Sequence, residues 1–396
     1  MRSAISSMPS WGSPMVSRAE TTAFARWWWT VDRVLLISLL ALMGLGLVLS
    51  FAASPPVAEK LGLGTYHFVL RHAFYAVPAA LTLVAFSFLS PRQVRRVALI
   101  VFVAALAGII LTLFAGVEVK GSRRWLSLAG LTVQPAEFIK PAFVVLTAFL
   151  FAEGARRPDL PGRLLAVFLL AMVVAPLVAQ PDFGQAMLIA ITWGAMIFLA
   201  GLQWRWVFAL GAVGFGGILS AYLYLPHVTN RLNAFLDPDA DANYQVNRSI
   251  ESFVRGGWFG EGPGEGIVKR RLPDSHTDFV FAVTAEEFGI IACGLILALF
   301  AVIVLRGLSH AFRETDAFVR LALAGLILLF GGQAFINMAV NLQLMPAKGM
   351  TLPFISYGGS SLIAVAMGMG FALALARRRP KRVRFTETRV LREALA

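Results

Sequence analysis

The residues Met345-Pro-Ala-Lys-Gly-Met-Thr-Leu-Pro-Phe-Ile-Ser-Tyr-Gly-Gly-Ser-Ser361 form a polar stretch between two long apolar segments. Irregular backbone and a lysine this close to a bilayer are tolerated only where protein or a wet cavity surrounds them. An ordinary connecting loop would account for a lone Gly-Gly pair. Here a lysine, prolines and several hydroxyl side chains lie together, which predicts a site for a polar, anionic group.

This stretch, which we call the 345–361 loop, lies between two of ten apolar runs that have the length of membrane spans. The chain has 396 residues, of which 58% are hydrophobic and 14% charged, and this composition excludes a soluble globular domain. Each run can cross roughly 30 Å of hydrocarbon. The runs are about 31–53, 68–90, 97–118, 136–153, 163–180, 185–202, 206–226, 279–305, 319–345 and 361–377. We therefore predict an all-α polytopic membrane protein of about ten transmembrane helices.

Charge placement predicts the topology. Most of the 35 Lys and Arg residues lie in the two tails and in the loops that would share their side of the membrane. The positive-inside rule then places both termini in the cytoplasm. We predict a flexible cytoplasmic tail at 1–30, one membrane domain at 31–379 and a basic cytoplasmic tail at 380–396. The net charge of +13 is interpreted as a topology signal near anionic lipid, not as nucleic-acid binding.

Cysteine chemistry contributes little. The single cysteine, Cys293, falls inside the eighth span, so an intrachain disulfide and a Cys-type metal cluster are excluded.

The unusual sequence is concentrated on the predicted outer face. The loops 119–135, 180–185 and 345–361 and the long extracytoplasmic loop 227–278, between spans 7 and 8, all carry polar residues at the membrane boundary. Loops that converge on one face predict an outward-opening site.

Three basic residues from different outer segments, Arg124, Lys140 and Lys348, suit a diphosphate, whose oxygens accept several charge-assisted hydrogen bonds. The alternative for Lys140 is a local pair with Glu137, three residues earlier on the same helix. Trp125 offers a flat apolar surface for a sugar or a lipid chain, or else belongs to the interfacial aromatic belt.

Acidic residues near the eighth span supply candidate chemistry. Asp278 either caps that helix or acts at the mouth of a cavity as a general base or metal ligand, and the two roles are compatible. Glu286 and Glu287, roughly 12–13 Å further along the helix at 1.5 Å per residue, are expected inside the membrane. We predict that they form a buried ion pair with a basic residue on another span, with a proton relay as the alternative.

These residues together resemble the SEDS family (shape, elongation, division and sporulation) over about residues 31–379. The motifs that carry the resemblance are Arg124-Trp125, Gln134-Pro-Ala-Glu137 with Lys140, Gln180-Pro-Asp182, Leu272-Pro-x-x-His276-Thr-Asp278-Phe279 and Leu352–Ser361. The run 346–353 resembles the division member of this family more closely than it resembles the elongation member. The pattern departs from the family at Arg248, where Gln is common, and at Gln185, where Thr is frequent.

The resemblance implies a peptidoglycan glycosyltransferase that polymerises lipid II into β-1,4-linked strands and releases undecaprenyl diphosphate. It also implies the inner membrane at the division septum, a class B penicillin-binding protein transpeptidase (FtsI-like) and other divisome membrane proteins as partners, and no nucleic acid. A divalent cation, Mg²⁺ or Mn²⁺, is allowed as a cofactor, with Asp278 as its ligand.

The site prediction combines the motifs with the residue chemistry. By motif, Asp278 matches the family's essential aspartate and is predicted to be catalytic, while Arg124, Trp125, Glu137, Lys140 and Lys348 match other functional positions. The predicted substrate-binding residues are Arg124, Trp125, Lys140, Lys348, Ser360, Ser361 and His276, and the predicted supporting residues are Glu137, Asp182, Glu286 and Glu287.

Three other functions share these features. A lipid II flippase would need a polar path across the whole bilayer, an elongation polymerase would differ in its biological setting, and an inactive scaffold would only recruit division partners.

Overall fold

The computed structural model describes residues 22–119, 122–128, 131–224, 228–230, 233, 244–346 and 349–377. Its elements, in chain order, are α1 Ala23–Thr30, α2 Arg33–Ala53, α3 Pro55–Lys60, α4 His67–Ser87, α5 Pro91–Ala115, β1 Val117–Val119, β2 Ser122–Leu128, β3 Leu131–Val133, α6 Pro135–Arg156, α7 Gly162–Ala179, α8 Phe183–Leu199, α9 Trp204–Tyr224, α10 Tyr244–Gly256, α11 Val280–Arg313, α12 Ala317–Asn341 and α13 Gly359–Ala376.

A helix stands at each of the ten predicted spans, which confirms the all-α polytopic fold. Eight of them (α2, α4, α5, α6, α7, α11, α12 and α13) are long and apolar enough to cross a membrane, and α8 is apolar with 17 residues. The remaining predicted span corresponds to α9, with 21 residues. The fifth helix begins earlier than predicted because Ser90 and Gln93 form a capping box and Pro91 occupies the first turn.

The last residues of the predicted tail 1–30 form the helix α1. Trp27 is buried there, its indole N–H donates to Ser87 Oγ over 2.8 Å, and its ring stacks on Phe88 with centroids 4.7 Å apart. This packing against the end of α4 holds a short helix that its own length could not stabilise. Residues 1–21 and 380–396 lie outside the described residues.

The outer loop 119–135, for which no strand was predicted, contains a small antiparallel sheet. Its strand order is β1-β2-β3, with Trp125 opposite Val117 and Leu126 opposite Val133. The sheet carries Arg124 and Trp125 and leads directly into α6.

The most buried helices of the bundle are α6, α12 and α13. Helix α13 packs against α4 and α6, and α12 packs against α6, α8 and α11. Helix α2 approaches the 345–361 loop closely at Gly46, where an added Cβ would lie 2.2 Å from the carbonyl oxygen of Phe354. Residues 350–361 of the loop are accordingly buried or half-buried, whereas Gly349 is exposed.

Helix α11 is interrupted at Gly289, whose φ of 77° and ψ of 178° are non-helical. The long loop satisfies the freed backbone: Ile290 N–H donates to the Gly257 carbonyl over 2.9 Å, and Glu261 N–H donates to the Glu286 carbonyl over 2.9 Å. The segment after the break, 290–313, is by itself roughly 36 Å long, which is enough for a full span. Glu286 therefore lies in the outer segment of α11, before the break.

Candidate active site

The 345–361 loop is joined to the segment that leads into α11. The amide of Tyr357 donates to the carbonyl of His276 over 2.9 Å. Phe354, buried within the loop, has a φ of 65°, a left-handed conformation that is uncommon for a non-glycine residue. Strained backbone of this kind persists only where the surrounding packing imposes it, and it occurs preferentially at functional sites.

Glu137, in the first turn of α6, is the centre of a buried polar network. Its carboxylate pairs with Lys140 Nζ at 3.0 Å and accepts hydrogen bonds from Gln185 Nε2 at 2.7 Å and Ser361 Oγ at 3.0 Å. The side chains of Glu137 and Lys140 are 3% and 2% exposed. A carboxylate removed from water to this degree needs such a cation and such donors.

The network closes into a ring through α12. Lys140 donates to Gln333 Oε1 over 2.9 Å, and Gln333 Nε2 donates to the carbonyl of Thr351 over 3.0 Å. Thr351 Oγ1 lies 3.1 Å from Ser361 Oγ, which leads back to Glu137. A cavity of about 20 Å³ beside Lys140 and Gln333 has room for one water molecule. The ring ties α6, α12, α13 and the 345–361 loop together.

For Lys140 the structure favours the local pair over direct binding of a substrate anion. Its ammonium group is enclosed and bonded to both Glu137 and Gln333. Two of its three N–H donors are thus used, and the side chain is 2% exposed, which restricts access for a substrate anion. Gln185, one of the two departures from the family pattern, supplies a donor to Glu137 within the same network.

Arg124, on β2, holds the turn before α8. Its guanidinium donates to the carbonyls of Gln180 at 3.3 Å and Pro181 at 2.5 Å and lies 3.5 Å from a carboxylate oxygen of Asp182. Burial raises the pKa of Asp182, and the charge of Arg124 opposes that shift. The Arg124 side chain is 21% exposed, so this arginine is only partly closed off from its surroundings.

Ser360 and Trp125 lie at the edges of this region. Ser360 Oγ accepts the backbone amide of Gln134 over 3.2 Å, and the Gln134 side chain reaches Asp182 at 3.5 Å. Trp125 is half-buried in the outer sheet. Lys348, predicted as the third cation, lies outside the described residues.

Asp278, the predicted catalytic residue, is half-buried at the start of α11. Its carbonyl oxygen accepts two side-chain amides, from Asn337 and Asn341 of α12, each over 2.9 Å. A Cβ built on Gly349 would lie 3.7 Å from Asp278 Oδ2, so the carboxylate faces the 345–361 loop. Asn337 also donates to the carbonyl of Met350 in that loop, over 2.6 Å.

These contacts connect most of the predicted site residues. One side of the network runs from Arg124 through Asp182 and Gln134 to Ser360. On the other side, Ser361 belongs to the ring that includes Gln333 of α12. One turn further along α12, Asn337 donates to the carbonyl of Asp278.

His276 has a packing role in the structure. The residue is 9% exposed, and its ring packs against those of Phe68 and Tyr357, with centroid separations of 4.6 Å and 5.4 Å. This aromatic packing fixes the segment two residues before Asp278. The substrate contact predicted for His276 stays a prediction.

Glu286 and Glu287 lie apart from the network. Lys269, in a 3-10 turn of the long loop, pairs with Glu287, and the amides of Val268 and Lys269 donate to Glu286 over 2.6 Å and 2.9 Å. The predicted ion pair is present, but its basic partner comes from the loop, not from another span. Both glutamates thus fix the long loop onto α11.

Sequence reasoning missed Lys269 and the polar face of α12. Gln333, Asn337 and Asn341 recur every four residues in an otherwise apolar span. That spacing places them on one face of a helix and was a readable signal.

The described residues contain no group of three or more His, Cys, Asp and Glu side chains arranged to hold a metal ion. A Mg²⁺ or Mn²⁺ at Asp278 fits only if diphosphate oxygens and water complete its shell, as is common for Mg²⁺.

The comparisons with known proteins identify the family. The family model described as "Cell cycle protein", which covers FtsW, RodA and SpoVE, matches residues 32–381. The chain belongs to this family. The probable peptidoglycan glycosyltransferase FtsW of Caulobacter vibrioides is 46% identical over 365 residues, which cover 92% of this chain and 94% of the relative. The corresponding protein of Alkalilimnicola ehrlichii is 38% identical over 350 residues, covering 85% and 86% of the two chains.

Solved structures show the same fold. A chain from a peptidoglycan synthase complex, described as coordinating polymerization and crosslinking, is 30% identical and superposes with a TM-score of 0.74, covering 87% of this chain and 97% of its own. The rod shape determining protein RodA of Thermus thermophilus is 28% identical with a TM-score of 0.65, covering 89% and 99%. The SEDS resemblance found in the motifs is thereby confirmed.

Proposed function

We propose that this member of the FtsW/RodA/SpoVE family is a peptidoglycan glycosyltransferase that polymerises lipid II during septal cell-wall synthesis. The observation that carries the proposal is the placement of Asp278. Its carboxylate faces the 345–361 loop, and Ser360 and Ser361 at the end of that loop bond to Gln134 and Glu137. The similarity to relatives named FtsW supports the division setting over elongation.

In the proposed reaction Asp278 accepts the proton of the acceptor sugar's 4-hydroxyl group. That oxygen forms a bond to C1 of the donor sugar while the bond from C1 to the diphosphate breaks, with inversion to a β-1,4 link. Undecaprenyl diphosphate leaves. Diphosphate is a good leaving group, so a carboxylate is a strong enough base for this step.

Arg124 and Lys348 are proposed to bind the developing diphosphate charge. The partial exposure of the Arg124 side chain supports its role. A divalent cation held by Asp278 and the diphosphate would supply further charge neutralisation. Lys140 is assigned a supporting role, because its ammonium is occupied by Glu137 and Gln333.

A class B penicillin-binding protein transpeptidase and other divisome proteins are the proposed partners, in the inner membrane at the septum with both termini cytoplasmic. The similarity to a chain of a peptidoglycan synthase complex supports a partner of this kind.

The test is polymerisation of purified lipid II by the protein in proteoliposomes, with and without the transpeptidase. We expect glycan strands from the wild type and none from Asp278→Asn. Wild-type polymerisation by Asp278→Asn would refute the assignment of the base. Movement of labelled lipid II between leaflets without polymer would instead identify a flippase.

A further inference from the structure

Helix α12 presents three side-chain amides, from Gln333, Asn337 and Asn341, on one face, which we call the amide face. These side chains are 3%, 2% and 0% exposed. Unpaired amides are costly in an apolar interior, and each of these three is hydrogen bonded.

The partners of the amide face lie on separate elements. Gln333 joins Lys140 of α6 to Thr351 of the 345–361 loop, with distances of 2.9 Å and 3.0 Å. One turn later, Asn337 donates both to the Met350 carbonyl, at 2.6 Å, and to Asp278. Consecutive carbonyls of the loop are thus held by consecutive amides of the helix.

Asn341 completes the face at the start of α11. Its Nδ2 donates to the Asp278 carbonyl over 2.9 Å, and its Oδ1 accepts the amide of Ala282 over 3.1 Å. Ala282 N–H belongs to the first turn of α11, where backbone donors have no partner within the helix. Asn341 therefore caps α11 from a neighbouring helix. Ser249 of α10 in turn donates to the Asn341 carbonyl over 2.7 Å.

Two donors on one carbonyl restrict the orientation of the peptide that follows Asp278. The orientation of the peptide plane sets where the side chain of that residue points. A carboxylate that must meet a sugar hydroxyl within hydrogen-bond distance depends on this orientation, and a 1 Å misplacement can reduce a rate by about a hundredfold.

We propose that Asn337 and Asn341 are positioning residues that hold the Asp278 carboxylate in register with the 345–361 loop, while Gln333 extends that register to the Glu137–Lys140 pair. This inference rests on the proposed function for its catalytic consequence. Its structural content, the fixation of Asp278 by α12, stands independently of the reaction.

The experiment compares Asn337→Leu and Asn341→Leu with the control Thr192→Val in proteoliposomes. Thr192 is buried on α8, and its hydroxyl donates only within its own helix, to the Leu188 carbonyl over 2.8 Å. We expect each Asn variant to lower kcat for lipid II polymerisation about tenfold to a hundredfold with little change in KM. The Thr192→Val variant should keep both constants.

A second measurement does not depend on activity. Hydrogen–deuterium exchange should speed up at residues 279–283 in both Asn variants and stay unchanged in the control, because the amide of Ala282 loses its cap or its support. The rescue arm is Asn337→Gln, which keeps the donor and should recover part of the lost kcat.

The outcomes separate the two proposals. Faster exchange with lower kcat supports the positioning role. Unchanged exchange and unchanged kcat in both Asn variants overturn it while leaving the glycosyltransferase intact. If the wild type makes no polymer, the proposed function fails, and the exchange data alone then decide whether α12 fixes Asp278.

Discussion

Replacing Lys140 by methionine tests the buried pair at the centre of the network. The substitution keeps much of the side-chain volume but leaves the Glu137 carboxylate, 3% exposed, with only the neutral donors Gln185 and Ser361. Removing one partner of a buried ion pair costs about 3–5 kcal/mol. We therefore expect the free energy of unfolding to fall by about that amount.

The double variant Glu137→Gln/Lys140→Met removes both charges together. Its loss of stability should be smaller than the sum of the two single losses by about 1–3 kcal/mol, because neither charge is left uncompensated. The assay is denaturant unfolding in detergent micelles, followed by tryptophan fluorescence.

Arg157→Met is the matched control. Arg157 pairs with Glu153 at 2.8 Å, but its side chain is 72% exposed, so its loss should cost less than about 1 kcal/mol. If Lys140→Met and Arg157→Met unfolded alike, or if the Glu137 and Lys140 effects were additive, the account of the network as a coupled buried unit would be refuted.

Three further predictions concern packing and pH. Gly289→Ala should destabilise the contact between the long loop and α11 by about 1–3 kcal/mol or more, because φ at Gly289 is 77° and the new Cβ would lie 2.3 Å from a backbone oxygen. A lower temperature of thermal unfolding and faster proteolysis of the loop would show this loss. Lys269→Met should leave Glu287, 0% exposed, without its cation and lower thermal stability, and adding Glu287→Gln should restore part of the loss. Asp32→Asn should destabilise the protein at neutral pH. Burial alone would raise the pKa of Asp32, but hydrogen bonds from His310 and Arg306 outweigh it and hold the pKa below 3.8. The ionised carboxylate therefore stabilises the fold above that pH, and the difference in unfolding free energy between wild type and variant should shrink as the pH falls below it.

The sequence predicted the ten spans well because hydropathy over about twenty residues is a local property. The motifs also located the candidate site, since the 345–361 loop and Asp278 are unusual against an apolar background. The docking of Trp27 onto Ser87 could not be predicted, because it involves residues far apart in sequence.

The role of Lys140 shows where sequence reasoning stopped. Its spacing from Glu137 allowed the local pair, and its motif allowed a substrate contact. Only the three-dimensional arrangement brought Gln333 to the same ammonium and buried it. Likewise, the spacing of Glu286 and Glu287 suggested membrane depth, whereas the break at Gly289 places them in the outer segment.

By itself the sequence determined the membrane class, the number of spans, the family resemblance and the segments that carry the chemistry, because each depends on residue type and short-range spacing. The tertiary structure alone decided which polar groups meet, because the partners of Lys140, Asp278 and Glu287 come from distant segments. In an apolar interior each polar group must find such a partner, and the folded arrangement of the helices selects which one is within reach.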